Sequence, residues 1–202
     1  QFDGESDRAY EILRGRPLVA DKRRILNALG EADVTTSLTM TAAQGINDDQ
    51  FPVMLDHLFR HDHIVSCMIQ PIAFAGRGAA LQGTAGRLTI PDIVRLLGEA
   101  GHARVKSKDF VPLPCSHPLC FSLAFYLMTD NGGAVSLNQL ADADTLMDSI
   151  ANRLFFGLDP DEYEKLKETV YALWSGPVGA VPESEAVLST LRSLLKRLSA
   201  HT

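Results

Sequence analysis

The chain is short of cysteine, of massed positive charge and of long apolar runs, and each shortage closes off a class of protein. Three cysteines among 202 residues, an odd number with two of them close together, do not make the disulfide framework of a small secreted domain and fit a reducing compartment. A formal net charge of −6 leaves no massed basic surface, which argues against non-specific binding to nucleic acid or to anionic membranes. No apolar run approaches the roughly 20 residues that cross a bilayer, and nothing resembles a signal peptide. The expectation is a cytoplasmic protein with no transmembrane segment and no nucleic-acid partner. What the chain does have is 46% hydrophobic residues, enough for a sizeable core in one domain or one and a half.

Two of the three cysteines fall in its densest stretch, Asp109-Phe110-Val111-Pro112-Leu113-Pro114-Cys115-Ser116-His117-Pro118-Leu119-Cys120. Three prolines fix φ and push the residues before them out of the helical region, so the backbone is held in an extended, turn-rich path. On such a loop the thiolates of Cys115 and Cys120 can both turn toward one iron or zinc ion, or toward two corners of an iron–sulfur cluster, with His117 between them as a third donor. Plain packing is the other reading, since free cysteine often fills space and Cys120 opens the apolar run to Met128. A closed four-ligand site would also draw a donor from elsewhere.

Along the chain, Gln1-Phe2-Asp3-Gly4 reads as the tail of a strand. Ser6-Asp7 caps a short helix through Leu13, and a second helix runs from about Val19 to Leu29 with Val19, Ile25, Leu26 and Leu29 inward and Gly30 as its stop. Val34 to Thr41 reads as a strand whose Thr35, Ser37, Thr39 and Thr41 share one face, opposite an apolar one. Gln44 to Asp49 is a turn with Asn47 as N-cap, followed by a helix with Phe51, Met54, Leu55, Leu58 and Phe59 as its buried stripe. His61-Asp62-His63 reads as a solvated connection rather than a metal site. Ile64 to Ile69 looks like a strand buried on both faces, with Cys67 as core packing and Gln70 at its carboxyl end.

The glycine-rich Ala75 to Gly86 reads as a mobile loop, without the lysine and hydroxyl of a phosphate loop. Thr89-Ile90-Pro91-Asp92 opens a helix with Ile90, Ile93, Val94 and Leu97 inward. After the cysteine loop comes a hairpin, Phe121 to Met128 and Ala134 to Leu137, then helices at about 143–158, 161–174 and 183–198. The last carries a leucine stripe that we read as packing on the helix pair before it. Strands alternating with helices over short connections make an α/β architecture of right-handed units, in which chemistry gathers at the carboxyl ends of strands.

Six stretches together carry a resemblance: Gln1-Phe2-Asp3-Gly4, the arginines of Leu13-Arg14-Gly15-Arg16, Gln44-Gly45-Ile46-Asn47-Asp48, Gln70-Pro71-Ile72-Ala73-Phe74-Ala75-Gly76-Arg77, Arg87-Leu88-Thr89-Ile90-Pro91-Asp92 and Asp109 to Cys120. In that order the chain resembles the radical S-adenosylmethionine enzymes, in the branch of the dihydropterin dimethyltransferases and tetraether lipid synthases, related to the molybdenum-cofactor cyclase. The resemblance implies that residues 1–105 are the C-terminal part of a partial (β/α)6 barrel (strands 4 to 6), followed over 106–202 by a cysteine loop, a hairpin and a helical region. It implies a [4Fe–4S] cluster that reduces S-adenosylmethionine to a 5′-deoxyadenosyl radical. That radical would take hydrogen from an unactivated carbon of a small pterin or a lipid, for methylation or C–C bond formation, with ferredoxin or flavodoxin as electron donor. By the same resemblance Asp3, Thr39, Thr41 and Gln70 end barrel strands and face the nucleoside or the substrate. Cys115 and Cys120, with His117, would belong to an auxiliary iron site.

The sequence also departs from that pattern. Neither the Cys-x3-Cys-x2-Cys of the radical-generating cluster nor the Gly-Gly-Glu that holds the methionine end is present, no cysteine-rich tail follows, and Ala73 and Ala75 stand where relatives carry Ser and Thr. The expectation is the middle of a longer enzyme, with the cluster ligands outside this chain, inactive alone and poorly soluble through its open sheet edge. The alternative is a non-catalytic metal-binding or interaction module built on the Cys115–Cys120 loop.

Overall fold

The computed structural model describes residues 1–100, 102–112, 117, 119–129, 133–140 and 189. Cys115 and the helices expected at 143–158, 161–174 and, Ser189 apart, 183–198 lie outside the described residues. The chain divides into two compact units, Gln1–Ala103 and Arg104–Thr202.

The first unit is built on short-range signals. Helix α1, Asp7–Arg14, starts where the Ser6 hydroxyl accepts a hydrogen bond from the Ala9 amide and ends at Gly15, whose left-handed backbone (φ 80°) returns its amide to the Glu11 carbonyl. Asp7 also caps the next helix, α2 (Val19–Glu31), its Oδ1 accepting from the Leu18 and Val19 amides at 3.0 and 2.9 Å. The inward stripe expected on α2 is not buried. None of its residues is, and Ile25 is 46% exposed. An apolar stripe is buried only where a partner surface meets it, and α2 meets polar groups: Asp7 at its start, Glu5 at Arg23 and the His63 ring at Gly30. Gly30 lies inside the last turn rather than ending the helix, and a Cβ there would stand 2.8 Å from His63 Cε1.

Strand β1, Thr36–Ala42, pairs in parallel with β2, Ile64–Pro71, in the register Ser37 to Ser66, Thr39 to Met68 and Thr41 to Gln70. The N-terminal tail makes no ladder, but the Phe2 amide donates to the Thr39 carbonyl at 2.7 Å, so the tail runs beside β1. Between the strands, α3 (Phe51–Arg60) buries Phe51, Met54, Leu55 and Phe59 as its spacing predicts, with Leu58 half-buried. These residues cover Phe2, Leu38, Met40 and Ile64 to make the core.

The fully buried β2 is corrected: Val65 is 61% and Met68 41% exposed, and Ser66 and Gln70 are exposed too. Helices cover one face of this sheet. The other, with Ser66, Met68 and Gln70 continuing the hydroxyl row of β1, is open.

The glycine-rich segment is folded rather than loose. Gly76–Leu81 forms 3-10 turns, the Gly86 amide donates to the Gln44 carbonyl, and Ala85 packs with Ala9, Ala43 and Ile46 beneath Phe74 and Leu81. Helix α4, Ile90–Glu99, opens on the expected capping box of Thr89 and Asp92, buries Ile93 and Leu97, and runs through Gly98 before ending. Among the described residues no helix is long and apolar enough to cross a membrane.

In the second unit β3, Val111–Pro112, pairs antiparallel with β4, Ser122–Leu123, while β5, Tyr126–Met128, pairs with β6, Ala134–Ser136. The single strand expected over Phe121–Met128 is therefore two short strands with different partners. Leu137 opens helix α5 (Leu137–Leu140) instead of closing the hairpin. Asp109 joins described segments of this unit: buried, it accepts from the Lys106 amide at 2.9 Å and the Tyr126 hydroxyl at 3.0 Å, while its carbonyl accepts from Asn138. A buried carboxylate with such partners fixes the arrangement of the residues that supply them, although the Asn138 side-chain oxygen is buried without a partner.

Candidate functional site

A parallel sheet is ordinarily covered on both faces. Here the open face of β1 and β2 carries Ser37, Thr39 and Thr41 beside Ser66, Met68 and Gln70, a surface of four hydroxyls, one amide and one thioether. Ser37 and Ser66 hydroxyls lie 2.6 Å apart across the strands, and the Gln70 side-chain amide donates to the Met68 sulfur at 2.9 Å. Polar groups on an open sheet face suit a ligand with several hydrogen-bonding atoms better than a hydrocarbon cover.

At the carboxyl end of that face stands a charged knot. Asp3 is fully buried, and its carboxylate accepts from the Thr41 amide (2.9 Å), Arg14 Nε (2.7 Å), an Arg14 terminal nitrogen (3.0 Å) and the Gln1 side-chain amide (3.0 Å). Arg14 and Gln1 also donate to the Thr41 hydroxyl, at 2.9 and 3.2 Å. The fork of Arg14 on Asp3 is the bidentate geometry that a guanidinium makes best, and it raises the already high Arg14 pKa. Behind it the Asp3 amide donates to the buried Tyr10 hydroxyl at 2.9 Å. Burial pushes the Tyr10 phenol up to about 12, so it stays protonated at all physiological pH values.

Asn47 is not the cap that its position suggests. Its side chain makes no capping bond; it is buried, donates to the Asp3 and Thr41 carbonyls at 3.1 and 3.0 Å, and accepts from the Ala43 amide at 2.9 Å. It thereby ties the strand tail to the end of β1.

Of the residues singled out from sequence, Asp3 and Thr41 are in direct contact, Thr39 shares their sheet face, and Gln70 sits across the register from Thr41. Arg14, Gln1 and Asn47 were not singled out as site residues. The signals for Arg14 were its place in the Leu13-Arg14-Gly15-Arg16 stretch of the resemblance and its position beside a helix-ending glycine.

The cysteine loop belongs to the other unit. Cys120 is exposed, which removes the space-filling reading for that thiol, and its amide donates to the His117 carbonyl at 2.8 Å to close a turn. His117 Nδ1 accepts from the Leu119 amide at 3.2 Å. Cys115 lies outside the described residues, and among those described no three metal-binding side chains are arranged to hold an ion. Cys67 is half-buried in β2, its thiol pushed up to about 11 by burial. No described set of cysteines can hold an iron–sulfur cluster.

No protein-family model matches the chain. The chain is similar to a 7,8-dihydro-6-hydroxymethylpterin dimethyltransferase of Methanocaldococcus jannaschii, 22% identical over 176 residues that cover 76% of this chain and 35% of the relative. It therefore spans about a third of the length of that relative, which is a methyltransferase.

Proposed function

We propose that this chain is part of a radical S-adenosylmethionine enzyme that methylates, or joins carbon to, a pterin or lipid substrate. One observation carries the reading. β1 and β2 expose a polar face that ends in Thr41 and Gln70 at the carboxyl end of a parallel sheet, where α/β enzymes hold their ligands, with Arg14 held beside Thr41 by the buried Asp3. The similarity to a pterin methyltransferase supports the same reading. In this proposal residues 1–105 are barrel strands 4 to 6, and residues 106–202 follow the barrel.

S-adenosylmethionine fits the open face in kind: its ribose and amino-acid groups need hydrogen-bond donors and acceptors, and Thr39, Gln70 and the exposed edge of Arg14 offer both. Bound there, it supplies the reactive carbon; these residues would bind and orient it. The [4Fe–4S] cluster does not fit the described residues, and its ligands, like the docking of an electron donor, belong to the longer protein.

The test uses the product of the complete reading frame, prepared without oxygen. Thr39→Val and Gln70→Leu break no contact that holds the fold, so stability should change by less than about 0.5 kcal/mol. Each should weaken S-adenosylmethionine binding, measured by equilibrium dialysis, by about tenfold, the worth of one hydrogen bond of ~1.4 kcal/mol. Unchanged binding in both variants refutes the assignment. A second reading, a metal-binding module without catalysis, rests on the exposed Cys120 thiol beside His117. It requires iron or zinc in the purified chain that is lost in Cys120→Ser, together with no affinity for S-adenosylmethionine.

A further inference from the structure

A row of histidines at the end of α3 has no part in the proposed function. His57 lies on α3, His61 follows its last residue, and His63 precedes β2. The rings of His57 and His61 stack at 5.5 Å, and those of His61 and His63 lie 5.6 Å apart. At one end His57 meets Phe2 of the strand tail edge-on at 4.9 Å, and its Nε2 stands 3.2 Å from Glu5, whose carboxylate also takes Arg23 of α2 at 2.6 Å. At the other, the His63 ring sits on Gly30 of α2 with no room for a methyl group. His57 Nδ1 and His63 Nε2 are buried without a hydrogen-bond partner. The row is not arranged to hold a metal ion.

We infer that this row is a proton-operated latch, which when neutral clamps the end of α3 and the start of β2 onto α2 and the strand tail, and when protonated lets them part. An imidazolium has two N–H donors to satisfy, and the buried nitrogens of His57 and His63 face no acceptor. Adjacent charged rings at such separations repel. Around the row, Glu5 and Asp62 favour the charged form, while Arg23 and Arg60 oppose it. Asp56 is engaged by Arg60 at 3.2 Å and by His102 at 3.7 Å.

At His61 the opposing causes prevail. His61 is itself exposed, and the partial desolvation beside its neighbours, then His57, His63 and Arg60, outweigh Asp62 and hold its pKa below the ordinary histidine value. The unfolded chain therefore takes up this proton first. The stability held by neutral His61 is fully present above about pH 6.5 and is lost progressively as the pH falls from there to the folded value. Phe2, which His57 supports, is next to Asp3, whose carboxylate accepts from the Thr41 amide, so opening the latch reaches the candidate site through the strand tail.

The test is made on the 202-residue chain. Proton NMR titration of the histidine Cε1 signals should give His61 a midpoint below about 6.5 that rises in His63→Gln. Melting temperature should fall by about 2–4 °C between pH 7.5 and pH 5.5, with less than half that fall in His61→Asn. The hydrogen-exchange protection factor of the Thr41 amide should fall with it. A His61 midpoint at or above 6.5, equal falls in wild type and His61→Asn, or Thr41 protection indifferent to pH each overturns the latch. If His61→Asn does not fold, the wild-type midpoint and the Thr41 protection decide.

Discussion

Substitution at Asn47 distinguishes a helix cap from a clasp between strands. As a cap, Asn47 would be replaced by Ser at almost no cost and by Ala at about 1 kcal/mol. As a clasp it bonds two carbonyls and one amide on two segments of chain, the Asp3 carbonyl on the strand tail and the Thr41 carbonyl and Ala43 amide at the end of β1, all within 3.1 Å. Serine is too short to reach them. The Ala43 amide, buried with its residue, then loses its partner at a cost of about 1–3 kcal/mol, and the two carbonyls add less because each keeps a second lone pair. The expected loss for Asn47→Ser is therefore about 2–4 kcal/mol, a large share of the 5–15 kcal/mol that holds a typical domain. Asn47→Asp should fare no better, because its carboxylate keeps the Ala43 bond but faces two carbonyl oxygens. Urea unfolding followed by circular dichroism measures all three. If Asn47→Ser unfolds within about 0.5 kcal/mol of wild type, the side chain is a cap after all and the clasp is wrong.

Two further outcomes test the same picture elsewhere. Gly4 has φ +106°, and a Cβ there would stand 2.6 Å from Gln50 Cβ, so Gly4→Ala should destabilise by about 1–3 kcal/mol in the same assay, while Gly45→Ala, strained but with open space around it, should cost less. With iodoacetamide at pH 8, peptide mapping should find Cys120 labelled at least ~10-fold faster than Cys67. The thiolate is the reacting form, and a thiol pushed up to about 11 is almost wholly protonated at that pH, whereas Cys120 is exposed. Equal rates would mean that β2 opens readily or that Cys67 is not buried as described.

Features set by near neighbours in the chain were legible before the fold was known. The Ser6 cap, the Thr89–Asp92 capping box and the Phe51–Phe59 stripe each depend on residues three or four positions apart, and each forms as read. The alternation in β1 was legible for the same reason, with Leu38, Met40 and Ala42 buried and Ser37, Thr39 and Thr41 on the other face. Where reading went astray, a local signal met a distant partner: Asn47 has every local mark of a cap but finds carbonyls better placed, and Phe121–Met128 has the composition of one strand but pairs with two.

The sequence by itself determined helices α1 to α4 and strands β1 and β2, to within a few residues at their ends, and that hydroxyls would share one face of β1, because these follow from backbone propensity and side-chain period. Only the tertiary structure decided that β2 would add Ser66, Met68 and Gln70 to that face. It alone joined Asp3 to Arg14 and set three histidine rings in a row at the end of α3. Those outcomes turn on which surfaces meet across distant stretches of chain. A buried carboxylate or imidazole takes its meaning from the partner that folding brings to it, and no spacing along the chain encodes that partner.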